Sequence, residues 1–215
     1  MKEHPILFSG PMVRAILEGR KTQTRRVVTP QPKLHGDEEE IVSAAWDAGF
    51  IDVKCPYGKP GDRLWVRENW ASHFNQRFHA EHGLSAPDFL IDPATNEPLI
   101  VYAADRQFPM LINDEFMAEH GHIAWKPSIH MRRTASRITL EITNVRVERL
   151  QEIHRHDVQA EGLQCRHCKG YSDNRTGCTC VENFGKGWDA LNAKRGYSWE
   201  SNPWVWVVSF NRLTQ

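Results

Sequence analysis

The first apolar run of the chain, Ile6-Leu7-Phe8, predicts a strand. Ser9-Gly10-Pro11 follows as a helix entry, with Pro in the first turn where its missing N–H costs nothing. Met12, Val13, Ile16 and Leu17 recur at helical spacing, and Gly19 can end that helix. Thr22, Thr24 and Val27-Val28 predict a second strand, which Thr29-Pro30-Gln31-Pro32 breaks; the segment through Glu40 reads as an exposed loop. After a turn at Lys59-Pro60-Gly61-Asp62, Leu64 and Val66 alternate with Arg63, Trp65 and Arg67, the pattern of a half-buried strand ending near Glu68. Leu99 to Ala103 returns to strand. Ile138, Leu140, Ile142, Val145 and Val147 predict either one long strand or a hairpin bent at Thr143-Asn144. His154 to Glu161 suits a short helix closed by Gly162, and Phe184, Trp188 and Leu191 line one face of a further helix with Gly196 past its end. Trp204 to Phe210 carries bulky residues on both faces, which predicts a strand central in its sheet.

Strands dominate, helices are few and the crossovers are irregular. The expected fold class is therefore α+β, a closed or nearly closed β-barrel with helices over its ends and not a doubly wound sheet. At 215 residues the expected organisation is one domain, 1–215, with polar, irregular insertions at about 72–98 and 105–124 and a Cys-rich loop at about 163–183. Hydrophobic residues at 40% and charged ones at 25% suit a globular protein with a real core. No window approaches the roughly 18 apolar residues of a membrane span. Met1-Lys2-Glu3-His4-Pro5 leads into no signal-like apolar run, so a cytoplasmic protein is expected. Lys+Arg 27 against Asp+Glu 27 leaves a formal charge of +0, whereas proteins that grip long duplexes carry a basic excess. The balance favours a small substrate or a short nucleic-acid element, with no membrane and no long duplex DNA as partner.

Gly19-Arg20-Lys21-Thr22-Gln23-Thr24-Arg25-Arg26 is the densest group of reactive side chains. A Thr hydroxyl becomes a nucleophile when a base takes its proton, and a desolvated Lys amine can be that base. Lys21 and Thr24 are three apart, so a regular strand would point them to opposite faces; they converge only if Lys21 sits in the turn leaving the helix. The plain alternative is a helix C-terminus with favourable cations followed by ordinary strand threonines.

Pro5-Ile6-Leu7-Phe8, Gly19 to Arg25, Gly61-Asp62-Arg63-Leu64-Trp65-Val66-Arg67-Glu68, Ser136 to Ile142 and Asp157-Val158-Gln159-Ala160-Glu161-Gly162-Leu163 resemble the ASCH domain of the PUA-like superfamily, small β-barrels associated with RNA. Asn202-Pro203-Trp204-Val205-Trp206-Val207 resembles the last strand of longer ASCH-like proteins common in phages and prophages. Gly19 to Thr24 also matches the Gly-Arg-Lys-Thr-x-Thr motif of the bacterial N4-acetylcytidine amidohydrolases. That resemblance implies Lys21 as base, Thr24 as nucleophile and Glu161 as the catalytic carboxylate, and it implies a bacterial host. The chain is about twice as long as those enzymes, which leaves the substrate open. Read alone, Glu161 is an exposed carboxylate near the end of a short helix.

Lys126-Pro127-Ser128-Ile129-His130-Met131-Arg132-Arg133, with Arg137 and beside Trp125, forms a basic patch suited to single-stranded RNA, or equally a strand edge kept from self-pairing by charge. Candidate substrate-binding residues are Arg25, Arg26, Glu68, Lys126, His130 and Arg133. Cys165-x-x-Cys168 and Cys178-x-Cys180 offer four thiolates for a structural Zn²⁺, closed to catalysis, with His167 or His156 able to replace one; the alternative is a reduced, metal-free loop. Cys55 reads as a small, partly buried residue, and most tryptophans as packing. The expected function is amide hydrolysis on an N-acylated nucleoside such as N4-acetylcytidine; the alternative is an RNA-binding module or ribonuclease using the same basic pocket.

Overall fold

The computed structural model describes residues 1–31, 54–72, 99–105, 124–164 and 179–213. In chain order its elements are β1 (Glu3–Leu7), α1 (Gly10–Leu17), β2 (Gln23–Val27), β3 (Arg63–Arg67), β4 (Trp70–Ala71), β5 (Val101–Tyr102), β6 (Thr139–Arg149), α2 (Arg155–Ala160), α3 (Cys180–Asn192) and β7 (Trp204–Leu213). Single 3-10 turns lie at Ser128–His130, Arg133–Ala135, Leu150–Glu152 and Ala193–Arg195. Most of the loop through Glu40, of the expected insertions and of the Cys-rich loop lies outside the described residues.

The fold is α+β: a mixed five-stranded sheet in the order β1-β3-β6-β7-β2 and a separate pair, β4-β5. The expected closed barrel is not formed among the described residues, because β1 and β2 remain the two edges of the larger sheet. The outer side of β2's lead-in is taken instead by the end of α2: Lys21 bridges Glu161, and Thr22 N–H donates to Ala160 O at 2.8 Å. The bend at Thr143-Asn144 is a bulge within one long strand, since the β6–β7 register shifts between Ile142 and Asn144. β7 is central among β6, β7 and β2, as its apolar faces predict.

The chain divides into two compact units. The first comprises Met1–His4, Ala15–Leu64 and Thr139–Gln215. Its core joins Val205 and Val207 of β7 to Leu150, Ile153, Val158 of α2, and Cys180, Phe184 and Trp188 of α3. These α3 positions recur at helical spacing, but Leu191 is turned out, 63% exposed, so the apolar stripe stops a turn earlier than expected. The second unit comprises Pro5–Arg14 and Trp65–Ile138 and packs Trp70, Met131 and Ala135 with Ile100 and Tyr102. Trp65, among the tryptophans read mostly as packing, is buried too; the Arg67 guanidinium lies 4.6 Å from its ring centroid and covers it. Among the described residues no helix is long and apolar enough to cross a membrane.

Candidate active site

Lys21 occupies the turn that leaves α1. Gly19 takes φ 72°, a left-handed conformation suited to glycine, and the N–H groups of Arg20 and Lys21 both return to Ala15 O, at 2.8 and 3.0 Å. The chain then enters β2 with Lys21 turned inward. Its side chain is 0% exposed, and Nζ donates to Gln23 O at 2.7 Å, Glu161 O at 2.9 Å and Glu161 Oε2 at 2.8 Å. Thr24 is in none of these three bonds.

Glu161 arrives from the other end of the sequence, at the C-terminus of α2. Gly162 follows with φ 91°, and a Cβ there would stand 2.9 Å from Ala15 Cβ and 3.0 Å from Lys21 Cβ. Only glycine lets the chain leave α2 this close to the lysine stem. Glu161 is 6% exposed by side chain, so the exposed-carboxylate alternative does not hold.

The sheet register sorts the remaining groups. Arg25 on β2 and Arg146 on β6 both pair with Val207 of β7, so the three share one face of the sheet, together with Glu148 two residues along from Arg146. This face carries Val205 and Val207 into the core with α2 and α3. On it Arg25 Nη1 meets Glu161 Oε1 at 3.3 Å, and Arg25 Nη2 meets Asp157 Oδ2 at 3.2 Å and Glu148 Oε1 in a very short contact. Arg146 closes the network from outside, through Nε to Glu148 Oε2 at 2.8 Å and Nη2 to Asp157 Oδ1 at 3.3 Å. Gln23 Nε2 donates to Asp157 Oδ1 at 3.0 Å, and Asp157 caps α2 by accepting from His154 N–H at 3.2 Å.

Thr24 pairs with Val208 and Arg26 with Trp206, so these two leave β2 on the opposite face from Arg25. Thr24 is buried and Arg26 half-buried, hydrogen-bonded to Tyr57. Arg26 acts electrostatically on both Lys21 and Glu161. The Lys21–Glu161 contact, at the edge of β2, is thus felt from Thr24's face as well as from Arg25's. Burial depresses the Lys21 amine below its ordinary range; Glu161 opposes this, and the guanidiniums of Arg26 and Arg25 add to it. An amine in that state can lose a proton more readily than one in water and hand it back.

The other candidate residues belong to the second unit. Glu68 is buried, and Arg137 grips it through Nε at 3.0 Å and Nη2 at 3.2 Å while holding Asp105 at 2.8 and 2.9 Å. The same guanidinium stacks on Tyr102, 3.9 Å from its centroid. Arg137 is therefore a structural clamp and not a member of the basic patch. Lys126 lies 5.0 Å from the Trp70 ring centroid, His130 and Arg132 are exposed, Arg133 is half-buried, and Trp125 is 41% exposed. Arg25, with a side chain 1% exposed and three carboxylates around it, has no surface to offer a substrate.

Of the four candidate zinc ligands, Cys165, Cys168 and Cys178 lie outside the described residues. Cys180 is the first residue of α3, buried in the apolar cluster. Among the described residues no three His, Cys, Asp or Glu side chains gather as a metal site. Cys55 is half-buried, and desolvation pushes its thiol up to about 11.

Sequence reasoning misses Glu148, Asp157 and Arg146. Their signal is present but weak: Arg146 and Glu148 are two apart on a strand, so a charged pair shares one face, and Asp157 sits where a helix cap is the ordinary reading. Compared with known proteins, the chain matches no family model, no curated protein and no solved structure.

Proposed function

We propose that this protein is an ASCH-type, PUA-like amidohydrolase that removes the acyl group from an N-acylated nucleoside such as N4-acetylcytidine. The observation that carries this reading is the sealed contact of Lys21 Nζ with Glu161 Oε2, 2.8 Å between residues 140 apart in sequence. Neutral Lys21 takes the Thr24 Oγ proton as Oγ attacks the acyl carbon. The tetrahedral intermediate expels the nucleoside amine, which receives that proton from Lys21, and leaves an acyl ester on Thr24. Water, deprotonated by Lys21, cleaves the ester to a carboxylic acid and restores the hydroxyl. Glu161 supports the ammonium that forms in each half. Support for Thr24 in this role is its place on the same face as Arg26, which senses the pair.

Incubation with N4-acetylcytidine and its longer-chain homologues tests the reading. Wild-type protein is expected to release cytidine, and Thr24→Val, which preserves shape in a buried strand position, to lose at least about 10²-fold in kcat. Wild type inert toward every homologue, or Thr24→Val as fast as wild type, overturns it. A structural Zn²⁺ on Cys165, Cys168, Cys178 and Cys180 is part of the proposal; no step runs through it, and close to one equivalent by elemental analysis is its expected signature, with none refuting it.

A second reading has its own observation, the exposed Trp125, next to Lys126 in sequence and followed by exposed His130 and Arg132. Bases of single-stranded RNA would stack on the indole while the cations meet phosphates, without amide hydrolysis. Salt-dependent binding of an oligoribonucleotide that Trp125→Ala weakens at least tenfold would favour it; equal binding by the two proteins would discard it.

A further inference from the structure

We infer that Arg25 is the positioning residue of the Lys21–Glu161 centre, gripping Glu161 by the oxygen that Lys21 does not use and being held itself by Glu148 and Asp157. The geometry stands by itself; its consequence for catalysis rests on the amide-hydrolysis reading.

The two oxygens of Glu161 go to different cations, Oε2 to Lys21 Nζ at 2.8 Å and Oε1 to Arg25 Nη1 at 3.3 Å. A carboxylate held at both oxygens cannot rotate. Arg25 can impose that because its fork is planar and its second nitrogen is fixed by two further carboxylates. Arg146 and Gln23 lock those carboxylates in turn. The arrangement runs from half-exposed Arg146 to the sealed lysine, and each member has a partner on either side. Arg25 touches no substrate-accessible surface, so it acts through Glu161. It also places a permanent cation close to Lys21 through that shared carboxylate. Without it, Glu161 would serve Lys21 alone, and the ammonium would hold its proton to higher pH.

The experiment is an NMR titration of the Lys21 Nζ group in wild type, Arg25→Gln and Arg25→Lys, run beside the kcat and KM profiles with N4-acetylcytidine. In Arg25→Gln the Lys21 titration is expected to move up by about one unit, and the alkaline rise of kcat with it, while KM stays within twofold. Arg25→Lys keeps the charge and loses the fork. Its Lys21 titration is expected near that of wild type, but its ammonium hydrogens should exchange with solvent at least tenfold faster. An unmoved titration in Arg25→Gln overturns the assignment; if that variant does not fold, unchanged exchange in Arg25→Lys does so. A shifted titration in a protein that hydrolyses no acylated nucleoside sinks the hydrolase reading and leaves the positioning role standing.

Discussion

Each unit of this protein contains a buried carboxylate held by a guanidinium, and the two arrangements differ in the cation that completes them. In the second unit Arg137 spans Glu68 and Asp105 and lies on Tyr102, with its side chain 26% exposed. Its one cation keeps its proton throughout the accessible pH range, so the cluster orders the chain and has no amine that could serve as a base. In the first unit Glu161 is shared between Arg25 and Lys21, both essentially sealed. A lysine amine can be neutral when buried, and it is there that a proton can move. On the hydrolase reading, the buried ion pair that can do chemistry is the one whose cation can give up its proton, and the pair whose cation cannot is scaffolding.

The sharpest way to break this comparison is to remove each guanidinium. Arg25→Met takes one cation from each of three carboxylates in a largely closed site and is expected to cost about 3–5 kcal/mol. Arg137→Met leaves Glu68 able to take up a proton and is expected to cost about 1–3 kcal/mol. Urea midpoints compare them, and equal losses would erase the distinction between a sealed and an open centre. Next in size is the glycine behind Glu161. Gly162→Ala meets Ala15 and Lys21 at 2.9–3.0 Å, while Gly196→Ala has a similar φ, 84° against 91°, and nothing within 4 Å. Backbone strain alone should cost Gly196→Ala about 1 kcal/mol, and the added crowding should bring Gly162→Ala to about 2 kcal/mol or more. Thermal unfolding of both proteins separates the terms; equal losses would mean that the close approach to Lys21 does not matter.

The smallest effect is one of sign. Burial would raise Asp157, but Gln23, the His154 N–H and the charges of Arg25 and Arg146 hold it below its ordinary 3.8. The unfolded chain then binds the proton more readily, so this stabilisation is complete above pH 3.8 and is lost as pH falls through the folded value. Burial raises Glu68 above its ordinary 4.5 despite Arg137. There the folded form keeps the proton longer, and stability falls as pH rises from 4.5 through the folded value. Carboxyl carbon NMR should show the two displaced in opposite directions; displacement of both to the same side contradicts the assignment.

Much of this was legible in sequence where local chemistry decides the outcome. Gly19 ends α1 and puts Lys21 in the turn, from which its amine is directed inward. Trp204 to Phe210 is apolar on both faces and is central. Thr143-Asn144 marks the irregularity in β6, though only pairing with β7 shows it to be a bulge and not a hairpin. What was hidden depends on partners far along the chain. Arg25 and Glu68 look like free polar groups until Glu161 and Arg137 arrive, and β2 looks ready to close a barrel until the end of α2 takes its lead-in. Leu191 fits a helical stripe whose outer end has nothing to cover it.

Hydrolysis by the proposed route requires a transient ester between Thr24 and the acyl group. Acid quenching of the protein during turnover of N4-acetylcytidine, followed by digestion and mass spectrometry, tests this directly. The peptide carrying Thr24 should be heavier by one acetyl group in wild type and unmodified in Thr24→Val. Turnover with no acetyl on Thr24, or with the acetyl found on another side chain, would contradict the mechanism.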